Sequence, residues 1–239
     1  MVADLDDPSS SGTRIRRLEA AVLFCQGEWV LAASLLQRCQ AEARQQNDSQ
    51  TLFNVDLLLA RTLLEATTMG SGPAPCGWDE VERALTEAMD IGAAMGEADT
   101  NAWCRSYLVA LYASQGHLEQ ANDLLFEART LARDWPFPSV QAALLWAEAR
   151  LSTAEGQWAE AVATLETLVE IYAQGGMRWD RARTLVDWAA AHGSRGRASD
   201  LSRARCLLEE SHALFLEMGI PRYVELIQER LSVLPRHRA

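Results

Sequence analysis

The sequence lacks the motifs that announce most chemistries. No Walker lysine motif, GxGxxG, HExxH or GxSxG occurs in its 239 residues. No CxxC pair occurs either. The cysteines, Cys25, Cys39, Cys76, Cys104 and Cys206, are odd in number and widely spaced, and all but Cys76 fall within helical patterns. They read as reduced, mostly buried small hydrophobes of a cytoplasmic protein rather than a disulfide framework or zinc site. None of His117, His192, His212 and His237 has a second His or Cys at ligand spacing. His117 falls in a turn, and His212 reads as solvent-facing beside Glu209 and Glu210. No run of 18 apolar residues exists, and the polar start MVADLDDPSSSG has no apolar signal-peptide core. Positive charge is in the minority: the net charge of −11 argues against a protein that binds nucleic acid through phosphates. No alternation of apolar and polar residues competes as a strand. The expectation is a non-enzyme with no catalytic residues, cofactor, metal, membrane segment or direct nucleic-acid contact.

What is present is a repeated pair of amphipathic helices. The clearest copy is Ala142 to Tyr172, AALLWAEARLSTAEGQWAEAVATLETLVEIY. Gly156 stops the first helix, because glycine takes a left-handed cap without strain. Trp158 packs the turn and opens the second helix. Ala149 and Ala161 are small where the helices must approach, and Leu165 and Leu168 continue the apolar stripe. Gly116 to Gly156 and Gly156 to Gly196 are each 40 residues, as are Trp78 to Leu118 and Leu118 to Trp158. Trp29 to Trp78 is 49, the excess lying in the loop MGSGPAPCG. A small residue follows each turn aromatic or leucine by three positions at Ala32, Ala121 and Ala161; Val81 stands there in the second unit, and Ala204 is the shifted equivalent in the fifth.

The pattern predicts an all-α chain, an α-solenoid of about five stacked helix–turn–helix repeats in a right-handed superhelix. Its divisions are a disordered segment 1–12, a repeat domain 13–234 with units 13–48, 49–98, 99–138, 139–175 and 176–218, a capping helix 220–234 and a tail 235–239. The polar start is either a loose terminus or the cut end of a longer chain. Ile15, Leu18, Val22 and Leu23 supply the apolar positions of the first helix, Asp99 or Thr100 caps the helix of the third unit, and Gly193 to Asp200 is a polar loop. Pro221 opens the last helix, which hides the final repeat's apolar face. An all-helical globule without regular stacking is the alternative.

The steps Gly27-Trp29-Ala32-Leu36, Gly116-Leu118-Ala121-Leu125 and Gly156-Trp158-Ala161-Leu165, with Ala20 and Ala149 upstream, resemble the turn and second helix of the tetratricopeptide (TPR) family over about residues 14–234. The 40-residue period exceeds that family's usual 34. It is similar to the long-repeat C-terminal regions of bacterial signalling regulators, those of maltose-activator type with LuxR-like DNA-binding domains and related NTPases. The resemblance implies a stacked helical array and a role in binding, not catalysis.

Transferring the register places Arg14, Arg17, Asn54, Arg61, Trp103, Tyr107, Trp146, Arg150, Arg183 and Asp187 near the concave face. Arginine and aromatic residues are common interface anchors, and an arginine-bearing groove suits an acidic peptide or a carboxylate terminus. The alternative is that the tryptophans fill space between repeats and the arginines are solvated. Trp29, Trp78 and Trp158 are read as turn packing, and Asp79, Glu80 and Glu82 as a helix-start acidic set. The expected function is a scaffold that binds a peptide or partner helix in the groove, with homodimerisation possible at a repeat end. The second candidate is a ligand-sensing regulatory module of a transcription regulator or signalling NTPase: a deep closed pocket with converging polar groups favours the sensor, an open groove the scaffold.

Overall fold

The computed structural model describes residues 10–70, 77–96, 98–133 and 137–234, leaving aside the side chains of 10, 98–100 and 198. Eleven α-helices and no strand occur among the described residues. In chain order they are α1 (Ser10–Gln26), α2 (Trp29–Gln45), α3 (Ser49–Met69), α4 (Trp78–Met95), α5 (Ala98–Gln115), α6 (Leu118–Ala132), α7 (Pro138–Ala154), α8 (Trp158–Gln174), α9 (Arg178–Arg195), α10 (Ala198–Glu217) and α11 (Pro221–Val233). None is long and apolar enough to cross a membrane. The residues expected to be disordered at 1–9, the tail 235–239 and Cys76 lie outside the described residues, whereas 10–12 belong to α1.

The turns repeat one hydrogen-bonding pattern. Gly156 has φ +75°, its N–H donates to Thr153 O, and the next N–H, of Gln157, donates to Ser152 O at 2.8 Å. This is the six-to-one bond of a Schellman cap, which the left-handed residue makes possible. The turn after α2 does the same with Asn47 in the left-handed position and Asp48 bonding back to Ala43 O. A short polar side chain tolerates that conformation where glycine is absent. The register also places the small residues of each second helix correctly. Ala32, Val81, Ala121, Ala161 and Ala204 are all buried. Even where the turn signature is missing, the position after it faces the neighbouring helix.

Three local expectations change. The fifth unit has no long polar loop: α9 continues through Gly193 to Arg195, and Gly196 and Arg197 alone separate it from α10. Arg195 and His192 face Asp200 across that turn, which holds both helix ends in place. The helix of the third unit begins at Ala98, so Asp99 and Thr100 lie within its first turn. In α1 the stripe Ile15, Leu18 and Val22 is exposed, whereas Thr13, Arg16, Ala20 and Phe24 are buried. Among the described residues no helix covers its outer side. Its inner side is held by ionic pairing of Arg16 with Glu42 and by Phe24.

Each helix packs on its chain neighbour, and α5 also packs on α7, so the first helices of successive pairs lie side by side. The array then closes on itself. α1 touches α11, and a single core cluster joins Phe24, Trp29 and Met69 at one end to Leu185, Phe215, Tyr223 and Ile227 at the other. The Trp179 indole N–H donates to Cys25 O at 3.0 Å, and Arg230 donates to Thr68 O at 3.2 Å. Trp29 meets Tyr223 edge-on at 5.7 Å. Gly27, with φ +85°, sits where an added Cβ would lie 2.8 Å from Cγ of Arg222. The final helix therefore does more than hide the last repeat. It seats the last repeat on the first, and the trough expected from sequence becomes a half-open cavity.

Candidate binding cavity

The closure leaves a cavity of about 270 Å³ on the inner side of the array. Its wall comes from the first helices of the pairs: Phe24 of α1, Arg61, Leu64 and Glu65 of α3, Trp103 and Tyr107 of α5, Ser139, Ala142, Ala143 and Trp146 of α7, and Trp179, Asp180, Arg183 and Thr184 of α9. Tyr172 of α8 and Met177 of the following turn complete it. Small residues at Ala142 and Ala143 keep room for the large rings opposite.

The aromatic side chains are ordered by contact with one another and with cations. Tyr107 and Trp146 have ring centroids 5.5 Å apart, and Phe24 and Trp179 are 5.2 Å apart. The Arg61 guanidinium lies over both Phe24, at 5.2 Å, and Tyr107, at 5.6 Å. Arg150 lies over Trp146 at 5.9 Å. Cation–π contacts of this kind strengthen as water is excluded.

Beneath the rings runs a charged network. Arg183 ion-pairs with Glu65 and, at 2.8 Å, with Asp187. Asp187 accepts the Trp146 indole N–H at 3.1 Å and stands 3.6 Å from Arg150. Arg150 also donates to Ser114 Oγ at 3.0 Å, and Tyr223 Oη donates to Glu65 at 2.9 Å. Burial opposes the charge on Asp187, but Arg183 and Arg150 overcome it and hold the carboxyl below its ordinary range. Burial likewise opposes the charge on Arg183, and Asp187 and Glu65 more than restore it. Asp180 behaves differently. Burial pushes its carboxyl above the ordinary value, with Arg61 pulling against that rise. Burial also raises the phenols of Tyr107 and Tyr172, so both remain hydrogen-bond donors at neutral pH.

Of the residues placed on the concave face from sequence, Arg61, Trp103, Tyr107, Trp146 and Arg183 line the cavity. Arg150 and Asp187 support it from behind. Arg14, Arg17 and Asn54 are not part of it. Arg14 is exposed and pairs with Asp48 at 3.5 Å, and the Asn54 amide donates to Gln50 O of its own helix. The sequence reading missed Phe24, Glu65, Tyr172, Trp179 and Asp180. Trp179 and Asp180 stand one turn before Arg183 in RWDRAR, a cluster of aromatic and charged residues that could have been flagged. Phe24 and Glu65 gain their roles from closure, which carries no local signal.

No protein-family model matches the chain, and no curated protein matches it in sequence. In three dimensions it is similar to PlcR of Bacillus thuringiensis, solved in complex with the peptide PapR7 and DNA. The TM-score is 0.64 at 9% identity, over 92% of this chain and 75% of PlcR. It is similar to a Rap protein complexed with Competence and Sporulation Factor, with TM-score 0.58 and 11% identity, over 94% of this chain and 64% of Rap. The chain thus spans just under two thirds of that protein's length. TPR-like repeats of a Podosopora anserina kinesin light chain superpose with TM-score 0.49 at 21% identity, over 86% of this chain and 95% of that one. The likeness is one of fold: a TPR-like helical-repeat array.

Proposed function

We propose that this chain is a non-catalytic interaction scaffold that takes a short peptide segment on the inner side of its array, with the cavity holding the residue that anchors the segment. The observation that carries this reading is the cavity itself. It has aromatic walls, a positioned arginine and buried hydrogen-bonding groups, the composition of an anchor pocket. PlcR, which shares the fold, was solved with a peptide. The cavity, about 270 Å³ and half open, is of a size for a single anchoring residue. The occupant we favour is therefore an extended segment or its end, not a docked helix. The net charge of −11 weighs against direct DNA contact by this chain. The free thiols of Cys25, Cys39, Cys104 and Cys206 accord with a cytoplasmic setting.

The second reading is a ligand-sensing module of a larger regulator. The end-to-end closure favours it, because a molecule held between first and last repeats changes the energy of opening. Peptides selected against the full chain by display test the first reading. Replacing Trp146 and Tyr107 together by alanine should weaken the selected peptides by about 30-fold or more, since buried aromatic anchors contribute about 2 kcal/mol or more. Selected peptides that bind this variant as well as wild type would exclude the cavity as their site.

A further inference from the structure

The charged side chains around the cavity divide into two kinds. Glu65 and Arg183 are paired with each other, and Arg183 also with Asp187. Arg61 and Asp180 line the same cavity, yet among the described residues neither has an ion-pair partner within 4.0 Å or a hydrogen bond to another side chain; the Asp180 carboxylate accepts from its own backbone N–H. They feel each other's charge without touching. Phe24 and Tyr107 engage the Arg61 guanidinium by their ring faces. The five N–H donors of a guanidinium lie in its plane, so this contact fixes the plate without using the donors. Both side chains are partly exposed and line the cavity, so their remaining donors and acceptors are open to a ligand rather than sealed in the core. A third body carrying both charges would complete the two together.

We infer that the cavity binds a small zwitterion, an amino acid or dipeptide with both ends free and an apolar or aromatic side chain, its carboxylate on Arg61 and its ammonium on Asp180. The assignment rests on the cavity being the binding place and adds the chemistry of the occupant. Size agrees with charge. A half-open space of about 270 Å³ suits a ligand of one or two residues, and two extended residues span about 7 Å. Trp103, Trp146 and Tyr172 surround the space left for a side chain.

Calorimetric titration of the full chain tests this with four probes: L-phenylalanine, L-alanyl-L-phenylalanine, L-phenylalaninamide and N-acetyl-L-phenylalanine. One of the first two should bind, and comparing them tells a free amino acid from a dipeptide. Blocking either end should weaken binding by about tenfold or more, as expected for losing a charge-assisted hydrogen bond. Arg61→Met should abolish the preference for the free acid over the amide, and Asp180→Asn the preference for the free amine over the acetylated form. Because the blocked probes act on wild type, the test does not depend on either variant folding. Amide and acetyl probes that bind wild type within about twofold of L-phenylalanine, or no binding by any probe at millimolar concentration, would overturn the assignment. Display-selected peptides that still need Trp146 and Tyr107 would then leave the scaffold reading standing. Zwitterion binding alongside peptides that ignore those rings would do the reverse.

Discussion

Glu65 on α3 and Arg183 on α9 are 118 positions apart in the chain and share a buried ion pair on the cavity wall. Tyr223 donates to the same carboxylate from α11. One acid of the second repeat thus fastens two elements of the far end. Helical arrays are often quasi-one-dimensional, each repeat touching its neighbours alone. This one is not, and its stability should show it.

Replacing Glu65 by Gln leaves Arg183 short of one of its two anionic partners, and breaking a buried pair from one side costs about 3–5 kcal/mol. The lower end of that range is expected, because Asp187 still faces Arg183. Urea denaturation followed by circular dichroism should show the loss. Wild type should unfold in a single transition and the variant in two, as the ends come apart before the middle. Small-angle scattering should report a larger radius of gyration. A single transition with an unchanged midpoint would mean that the contact does not hold the array shut.

Gly27 and Gly116 give a paired test of the same closure. Both have positive φ and cap equivalent turns, but a Cβ at Gly116 meets nothing within 4 Å, whereas one at Gly27 meets Arg222. Gly116→Ala should cost about 1–2 kcal/mol from backbone strain alone. Gly27→Ala should cost more, and it alone should expand the molecule in scattering. Equal losses with no expansion would mean that the α11 side chains move aside freely.

How much of this was legible in the sequence follows from distance along the chain. The turns, helix pairs and buried small residues at Ala32, Ala121 and Ala161 are set by contacts within one repeat, so a 40-residue period reveals them. Tyr107 and Trp146, expected on the inner face from the register, line the cavity, since the register says which face of a first helix points inward. The register does not give height along the helix. Arg14 precedes the cavity residue Phe24 by ten positions, about 15 Å along an α-helix, and Asn54 precedes Arg61 by about 10 Å. Neither is part of the cavity wall. Closure was illegible for another reason. It is the sum of small rotations between repeats, and no local pattern encodes the sum. The partners it creates, Glu65 with Arg183 and Cys25 with Trp179, therefore had no signal of their own.

Arg150 belongs to both kinds of contact, which decides how it should be tested. It faces Asp187, bonds to Ser114 and covers Trp146. Arg150→Glu would set a carboxylate against Asp187 and disturb the wall as well as any ligand. A loss of about 1–3 kcal/mol is expected for a like-charge contact at a partly buried site with two lost partners. Arg150→Met keeps the stem over Trp146 and should cost about 1 kcal/mol or less, given partial solvent screening. Thermal unfolding of the two variants separates these effects. Equal destabilisation would show that the lost hydrogen bond to Ser114, not the charge contact, governs the site.

A second buried acid, remote from the cavity, predicts how stability varies with pH. Asp56 lies in α3 with no exposed surface. Gln40 donates to its Oδ1 at 2.6 Å, while Oδ2 has no hydrogen bond among the described residues. Burial pushes its carboxyl from an ordinary 3.8 up to about 7; Gln40, Arg44 and Arg83 oppose the rise and Glu87 adds to it. A raised carboxyl means that the folded state holds the proton more tightly than the unfolded one. The stability linked to Asp56 is therefore complete below about pH 4, falls as pH rises from there to about 7, and is constant beyond. At 1.36 kcal/mol per unit, the full loss is of order 2–4 kcal/mol. Asp56→Asn keeps an oxygen for Gln40 and removes the titration. The variant should be more stable than wild type at pH 8, by up to that amount, and nearly equal to it at pH 4. A difference between variant and wild type that does not change over this interval would mean that folding does not raise the proton affinity of Asp56.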